Sequence, residues 1–465
     1  MSHAATRAVL PAVAPRNDQR WRADAVFSAV WLSLVVVIGL WVSNRGLADL
    51  TGGTATLLNS TGRLTGLIAS DLLLVQVLGM ARVPWVEQSL GQDRLARLHR
   101  LVGFTSFNLM IAHVVLITFG YAALAHRNVL GELWNLVWTY PGMLIATAGT
   151  GLLVMVVALS IKAARSRLRY ESWHLIHLYG YLGAGLALPH QLWTGSDFLA
   201  SPLSTLYWWS LYGATLGAVL LFRVGLPLWR SLRHRLEVAA VVKESPGVVS
   251  VHLRGHAIDR LPLRAGQFFV WRFLEGPGWS RGHPFSVSAA PHPSFVRITV
   301  KDLGDGSSRL ATLKPGTKVL IEGPYGRLTA AARTRQKVTL IAAGIGVTPM
   351  RALLEELTFA PGDVTFIYRA RTKKELIFQS ELDALAEQRG ARIIYLPGPR
   401  ASDTSWLPKD LRHLDDAEAL RLMVPDLARN DVFVCGPNAW MDSVRLAARA
   451  VGVPAPNIHE ERFSW

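Results

Sequence analysis

HRLVGFTSFNLMIAHVVLITFGYAALA, residues 99–125, is the stretch on which the reading of this chain turns. From Leu101 to Ala125 it holds no Asp, Glu, Lys or Arg. It is longer than the ~20 residues a helix needs to cross a bilayer. It also carries two histidines, His99 and His113, fourteen positions apart. Fourteen helical steps of about 100° return to nearly the same face, with a rise of roughly 21 Å. A helix that hides two imidazoles on one face in hydrocarbon needs something for them to bind.

Similar apolar runs fill the first half of the 465 residues. Six spans are expected, over residues 25–43, 62–82, 99–125, 142–162, 172–193 and 204–226. Half of the chain is hydrophobic. The formal charge is +16, with 19 Lys and Arg against 9 Asp and Glu in residues 1–235. The basic residues alternate between flanks. Arg7, Arg16, Arg20 and Arg22 precede the first span, and Arg45 follows it. Arg82, Arg94, Arg97 and Arg100 follow the second, and Arg127 the third. Lys162, Arg165, Arg167 and Arg169 follow the fourth, the fifth loop has none, and Arg230, Arg233 and Arg235 follow the sixth. The positive-inside rule then places both termini in the cytoplasm. The excess charge sits beside apolar segments, so it speaks for a lipid bilayer and against nucleic acid. Cys435 is the one cysteine, which excludes an internal disulfide. The first run lacks a clear cleavage site, so residues 1–24 read as a cytoplasmic tail before an uncleaved helix.

Beyond residue 234 the rhythm changes. LEVAAVV, VVSVHLR, QFFVWRF, FSVSAA, VRITVKD and KVLIEGP read as short strands between turns. They suggest an antiparallel β-barrel over 234–330. From 336 to 465 strands alternate with helices, as in a parallel, Rossmann-like α/β domain. The expected fold is therefore a six-helix transmembrane bundle over 25–230, then a barrel, then an α/β domain.

The fifth span adds His174, His177 and His190. Spans three and five run in the same direction, so His99 and His177 lie near the cytoplasmic end and His113 and His190 lie deeper. Imidazole in hydrocarbon is costly without a partner, and iron is a good one. Two haems stacked across a bilayer need ligands at about this separation. Histidine on both sides of each iron leaves no open coordination site, which suits single-electron transfer. His174 competes with His177 for the inner position. His177 and His190 are thirteen apart, off one face of an ideal helix, and Pro189 is able to distort the helix there. Asp71 and Arg63 are further polar intrusions. Arg63 lies at the outer end of span two, as a cation beside the outer site or as an interfacial, snorkelling residue.

In the second half, GHPFSVSAAP places His283, Pro284, Phe285 and Ser286 at a strand. Downstream, VKDLGDGSSRL offers Lys301, Gly304, Gly306 and Ser307, whose backbone amides are able to meet a phosphate. AAGIGVTPM follows a strand and opens a helix. Gly344 and Gly346 allow a tight turn there, and a helix N-terminus faces anions. VFVCGPNAWMDSV repeats the pattern, with Cys435, Gly436 and Pro437 at the strand end. A small thiol and a glycine leave room for a nicotinamide ring, although a lone buried Cys is more often packing. The chain closes on ERFSW.

The order of histidine pairs, HPFS, GIGVTPM, CGP and terminal aromatic resembles the ferric reductase / NADPH oxidase superfamily. The likeness is to bacterial members fused to a ferredoxin-reductase-type module, and it runs from about residue 25 to 465. It implies two haems b ligated by His99, His113, His177 and His190. It implies FAD contacts from His283, Phe285 and Ser286, with Trp465 or Phe463 stacked on the flavin. NAD(P)H binding would fall to Gly344, Gly346, Thr348, Pro349 and the Cys435-Gly436-Pro437 turn. His283 departs from the arginine that soluble relatives often use for the pyrophosphate. Arg400, just after a strand, is expected to favour NADPH over NADH by pairing with the 2′-phosphate, with Arg369 and Arg371 as alternatives. NAD(P)H gives a hydride whereas haem takes one electron, and FAD converts between them. The expected function is an integral membrane oxidoreductase of a bacterial inner or plasma membrane. It would pass electrons outward to oxygen or a ferric chelate, with Arg63 beside the outer haem. A quinone or periplasmic partner is the alternative acceptor, and a transporter with a nucleotide-sensing domain is the competing class.

Overall fold

The computed structural model describes residues 17–165, 167, 170–276 and 278–462. The chain divides into two compact units at Phe222/Arg223.

The first unit is helical. Its long helices are α1 (Asn17–Ser43), α2 (Thr54–Gly79), α3 (Gln92–Ala125), α4 (Met143–Ser160), α5 (Tyr170–Trp193) and α6 (Pro202–Ala218). Pro202 at the first helical position and the Ser201 hydroxyl, accepting from the Ser204 amide, start α6. A π-helical turn, Val219–Gly225, joins α6 to α7 (Leu226–His234). Large apolar side chains point outward. Trp31, Leu101 and Leu216 are 68%, 66% and 61% exposed, as lipid-facing residues are and a soluble surface rarely is.

Among the described residues five helical stretches are long and apolar enough to cross a membrane: Trp21–Ser43, Thr54–Gly79, Arg94–Ala125, Met143–Ser160 and Pro202–His234. That differs from the six spans expected. The expected fifth span is helical over its length, as α5. His174, His177, His190 and Gln191 dilute its apolar content, so its composition alone does not mark it as a span. The third and last stretches are longer than their expected spans, because helix continues past the hydrocarbon-length core in both.

The second unit holds eleven strands among its described residues. β1 (Glu237–Ser245), β2 (Val248–Arg254) and β5 (Val296–Lys301) form one antiparallel sheet in the order β1-β2-β5. β3 (Phe268–Phe273), β4 (His283–Ser286) and β6 (Val319–Tyr325) form another in the order β4-β3-β6. Single bridges, Glu237↔Lys318 and Val287↔Ile298, connect the two. β4 is HPFS rather than the expected FSVSAA. Its residues pair with Trp271 to Phe268. The chain then leaves β3 at Val287 and passes to β5, where Ser288 donates to the Arg297 carbonyl.

The rest is parallel: β7 (Val338–Ala343), β8 (Val364–Ala370), β9 (Arg392–Pro397), β10 (Asp431–Cys435) and β11 (Ile458–Glu460), ordered β11-β10-β7-β8-β9. Every residue of β7, β8 and β10 is buried, as parallel strands covered on both faces require. Helices α8 (Val347–Glu356), α9 (Gln379–Arg389), α10 (Asp416–Met423) and α11 (Asn438–Ala450) accompany the sheet. The chain moves from β7 outward through β8 and β9, then returns to β10 on the other side of β7. That reversal opens a crevice at the carboxyl ends of β7 and β10, where such sheets bind ligands.

Two buried ionic groups hold this unit. Asp431 accepts from the Thr334 amide (2.5 Å), the Arg335 amide (2.7 Å), Asn457 Nδ2 (2.9 Å) and His459 Nε2 (3.0 Å). Burial pushes its pKa up, but these donors outweigh burial and hold the carboxyl below its ordinary range. Arg297 on β5 forks onto both Glu381 oxygens of α9, each at 2.9 Å, and Arg351 of α8 pairs with the same carboxylate. The antiparallel and parallel sheets are thereby tied together.

Candidate functional site

The four membrane histidines fall into two pairs on α3 and α5. The rings of His99 and His177 lie 5.7 Å apart, centre to centre, with planes crossed at 69°. His177, not His174, faces His99. Its Nδ1 lies 3.3 Å from the Ser160 hydroxyl, and its ring packs 5.0 Å from Trp173. Deeper in the bundle, His113 and His190 are close enough to interact electrostatically. His113 Nδ1 is 2.7 Å from the Gly62 carbonyl, and His190 Nδ1 is 2.6 Å from the Ala187 carbonyl. A proton on Nδ1 suits both bonds and leaves Nε2 as the lone-pair nitrogen, the usual arrangement for a metal-binding imidazole. No described residue hydrogen-bonds the Nε2 of any of the four.

The α2 face beneath His113 is made of glycine. A Cβ on Gly66 would stand 2.4 Å from His113 Nδ1. Gly62 and Gly66 are one turn apart, a small-x-x-x-small pattern that lets apolar helices approach closely. The sequence reading overlooked it, together with Ser160 and Trp173. The readable signals were GRLTG and a tryptophan one turn before His177. Among the described residues no three His, Cys, Asp or Glu cluster around a common point. The histidines come in twos, which fits a metal whose other ligands are brought by a macrocycle.

Arg63, expected as a cation beside the outer site or as an interfacial residue, is ion-paired. Its guanidinium forks onto Asp197, with Nε–Oδ2 and Nη2–Oδ1 at 2.7 Å, and it reaches Asp49 Oδ2 at 3.0 Å and the Asn44 carbonyl at 2.9 Å. Two carboxylates offset its charge, so it ties helix ends together. Asp71 is fully buried, and its Oδ1 accepts from Ser33 (2.5 Å) and Tyr207 (2.6 Å).

In the second unit, Ser286 is buried at the end of β4, and its Oγ has no partner among the described residues. Trp271 Nε1 donates to the Phe285 carbonyl at 2.9 Å and fixes that strand end. The His283 ring lies nearly parallel to Phe285, and Gly306 abuts it. The Gly304 amide donates to the Asp302 carboxylate at 3.1 Å in an exposed turn, and the Ser307 hydroxyl accepts from the Leu303 amide. Lys301 pairs with Glu375 at 3.3 Å, so it is already committed to a carboxylate.

Across the crevice the two loops touch. A Cβ on Gly346 would fall 2.2 Å from the Cys435 carbonyl oxygen and 2.9 Å from the Gly436 nitrogen. Only glycine lets GIG and CGP meet. Thr348 and Pro349 are buried in the first turn of α8. Cys435 is fully buried, and burial raises its pKa, so the thiol stays protonated. Arg369 is buried, and its Nη1 donates to the carbonyls of Leu396 (3.0 Å) and Gly398 (2.7 Å), while its Nε has no partner among the described residues. Arg371 is exposed. Arg400 is half-buried, and its guanidinium donates to the Ser405 carbonyl, to the Ala439 carbonyl at 3.3 Å and to Ser443 Oγ at 2.9 Å beside α11. Phe463 and Trp465 lie outside the described residues.

Comparison with known proteins agrees with this division. Residues 65–188 match the family described as ferric reductase like transmembrane component, and residues 340–446 match the oxidoreductase NAD-binding domain. The chain joins a ferric reductase-like transmembrane domain to a ferredoxin-reductase-type FAD/NAD-binding module. The chain is 27% identical over 241 residues to the glycine betaine monooxygenase reductase subunit of Chromohalobacter salexigens, covering 50% of this chain and 65% of that one. It is 29% identical to the ferredoxin reductase component of 3-ketosteroid-9-alpha-monooxygenase from Rhodococcus rhodochrous, over 49% and 64%. It is 29% identical to a flavohemoprotein of Chromobacterium violaceum, over 50% and 60%. The match thus spans less than two thirds of each of these relatives. Among solved structures, the FAD/NAD-binding domain of a Vibrio cholerae nitric oxide dioxygenase aligns with half of the chain at 27% identity and a TM-score of 0.42. The chain is an oxidoreductase with a ferric reductase-like transmembrane component and an NAD-binding domain.

Proposed function

We propose that this protein carries electrons from cytoplasmic NAD(P)H, through FAD and two bis-histidine b-type haems, to an acceptor on the opposite side of the membrane. The observation that carries this reading is the facing of His99 and His177 at 5.7 Å with both Nε2 atoms unengaged. Metal–nitrogen bonds of about 2 Å put two axial imidazole centres about 6 Å apart, so the pair fits an iron between α3 and α5. His113 and His190 fit a second.

FAD supplies the conversion between hydride and single-electron transfer. The chain's own groups bind and orient. In this reading 25–230 is the haem domain, 234–330 the FAD domain and 336–465 the NAD(P)H domain, with both termini cytoplasmic. The open Ser286 hydroxyl supports a place beside the isoalloxazine, with His283, Pro284 and Phe285 next to it and Gly304, Gly306 and Ser307 toward the phosphates. Gly344, Gly346, Thr348, Pro349, Gly436 and Pro437 would line the nucleotide, and Cys435, neutral and small, would border the nicotinamide. Arg400 would pair with a 2′-phosphate, with Arg369 and Arg371 as the alternatives. Trp465, or else Phe463, would cover the flavin.

The acceptor is oxygen or ferric iron in this proposal. The test is NADPH oxidation by the full chain in proteoliposomes, with a dismutase-sensitive superoxide probe and a ferric chelate assayed in parallel. Superoxide formation supports an oxidase, and at least a doubling of the rate by chelate supports a reductase. Turnover with neither would move the acceptor to a quinone or a partner protein. Substrate flux without NADPH oxidation would defeat the proposal. Because Arg63 is paired with two carboxylates, Arg63→Ala is expected to act through helix packing.

A further inference from the structure

The two histidine pairs are gripped by different means. Resting on the haem reading above, we propose that Trp173 is a positioning residue. It holds the His177 imidazole across the plane of His99, so that the inner iron carries crossed ligands.

An axial imidazole turns easily about its metal–nitrogen axis, and its plane is set by what touches the ring. For the outer pair that contact is a backbone carbonyl on each side, Gly62 for His113 and Ala187 for His190. A short, charge-polarised Nδ1–H···O=C bond fixes the ring through a helix backbone. For the inner pair the grip on His177 comes from side chains. Trp173, one turn earlier on α5, lays its ring 5.0 Å from the imidazole at 32°. On α4, the Ser160 hydroxyl reaches Nδ1 only at 3.3 Å, a long and weak bond. The guanidinium of Arg165 sits over the Trp173 ring at 4.5 Å and steadies the indole in turn. The contacts that hold the His177 ring are thus the indole face and one weak hydroxyl bond. The outcome is a 69° angle between the imidazole planes.

That angle has an electronic consequence. In low-spin ferric iron each imidazole donates π density in one direction. Parallel rings act on the same d orbital and split it from its neighbour, which gives a rhombic electron paramagnetic resonance spectrum. Crossed rings act on both orbitals nearly equally, which gives a strongly anisotropic signal with a large maximal g value. The inner site should be of the second type, and Trp173 should keep it so.

The experiment is low-temperature electron paramagnetic resonance of the oxidised, full-length haem-loaded protein, comparing wild type with Trp173→Phe and Trp173→Leu. The wild type should show a strongly anisotropic low-spin component. Trp173→Phe, which keeps an aromatic face, should retain it. Trp173→Leu should shift it toward a rhombic spectrum at unchanged haem content, with the outer component unmoved. Two results would overturn the proposal: a wild type with both haems and no anisotropic component, or a Trp173→Leu variant with both haems and an unaltered spectrum. If Trp173→Leu sheds the inner haem, Trp173→Phe decides. Retained haem with the original signal supports an orienting role, and loss there too replaces it with simple packing. A wild type without haem removes the proposed function itself, which is a separate and recognisable failure.

Discussion

The membrane unit and the reductase unit bury polar groups in opposite ways. In the reductase unit the deepest carboxylate, Asp431, is closed by two amides, an asparagine and a histidine, and Arg297 and Arg351 close on Glu381. In the membrane unit His113, His177 and His190 are each held by Nδ1 and left open at Nε2, and His99 has no hydrogen-bond partner at Nδ1 either among the described residues. Desolvating a polar atom without a partner is unfavourable in either setting. The closed groups thus maintain the fold, while the open imidazole nitrogens are where a group outside the chain would complete the site. The reductase unit holds buried open atoms too, Ser286 Oγ, Glu356 Oε2 and Asn430 Oδ1 among them, and Ser286 is the one that stands in the HPFS strand.

The contrast is broken most severely by removing an open group. His113→Ala should cost the outer haem while NAD(P)H-to-flavin reduction continues, read as haem content beside single-turnover flavin bleaching. His174→Ala should leave the haem content unchanged, since its neighbour His177 faces His99.

Removing a closed group should act on stability alone. Asp431→Ala strands His459 and Asn457 without their acceptor and should destabilise the reductase unit by about 3 kcal/mol, measured by urea unfolding. The pH dependence follows from the depressed carboxyl pKa. A carboxyl whose pKa is lowered by folding stabilises above its unfolded value of about 3.9. That contribution fades as pH falls through the lower, folded value. Wild type should therefore lose stability below about pH 4 more steeply than Asp431→Asn.

A subtler change leaves the histidine in place and crowds it. Gly66→Ala puts a methyl group into the His113 ring. It should weaken outer-haem retention by about 10- to 100-fold, the range for disturbing a ligand's support, read by haem transfer to apomyoglobin. Smallest of all, Arg400→Ala should reduce any preference for NADPH over NADH by roughly tenfold or less, worth about 1 kcal/mol, read as the ratio of kcat/KM values.

Most of this architecture was legible in the sequence because long apolar runs and period-two strands dominate their stretches. His99 and His113 announced themselves by falling on one helical face. The expected fifth span is the helix α5, which is not among the five stretches long and apolar enough to cross a membrane, because several of its residues are polar histidines and a glutamine. β11 escaped because three residues, Ile458–Glu460, carry too little pattern. The fates of Arg63 and Arg369 were invisible because each depends on partners far along the chain: Asp197 for the first, and the carbonyls of Leu396 and Gly398 for the second. Sequence reported that these cations exist, and only packing reports which carboxylates and carbonyls they meet.

The central claim is that the open histidine pairs are completed by haem. Its most direct test is the dithionite-reduced minus oxidised spectrum of the purified full chain, with haem quantified per polypeptide as the pyridine haemochrome. The account predicts b-type bands and about two haems per chain, falling to about one in either His113→Ala or His177→Ala. Fewer than one haem in the wild type, or an undiminished content in both variants, would contradict it.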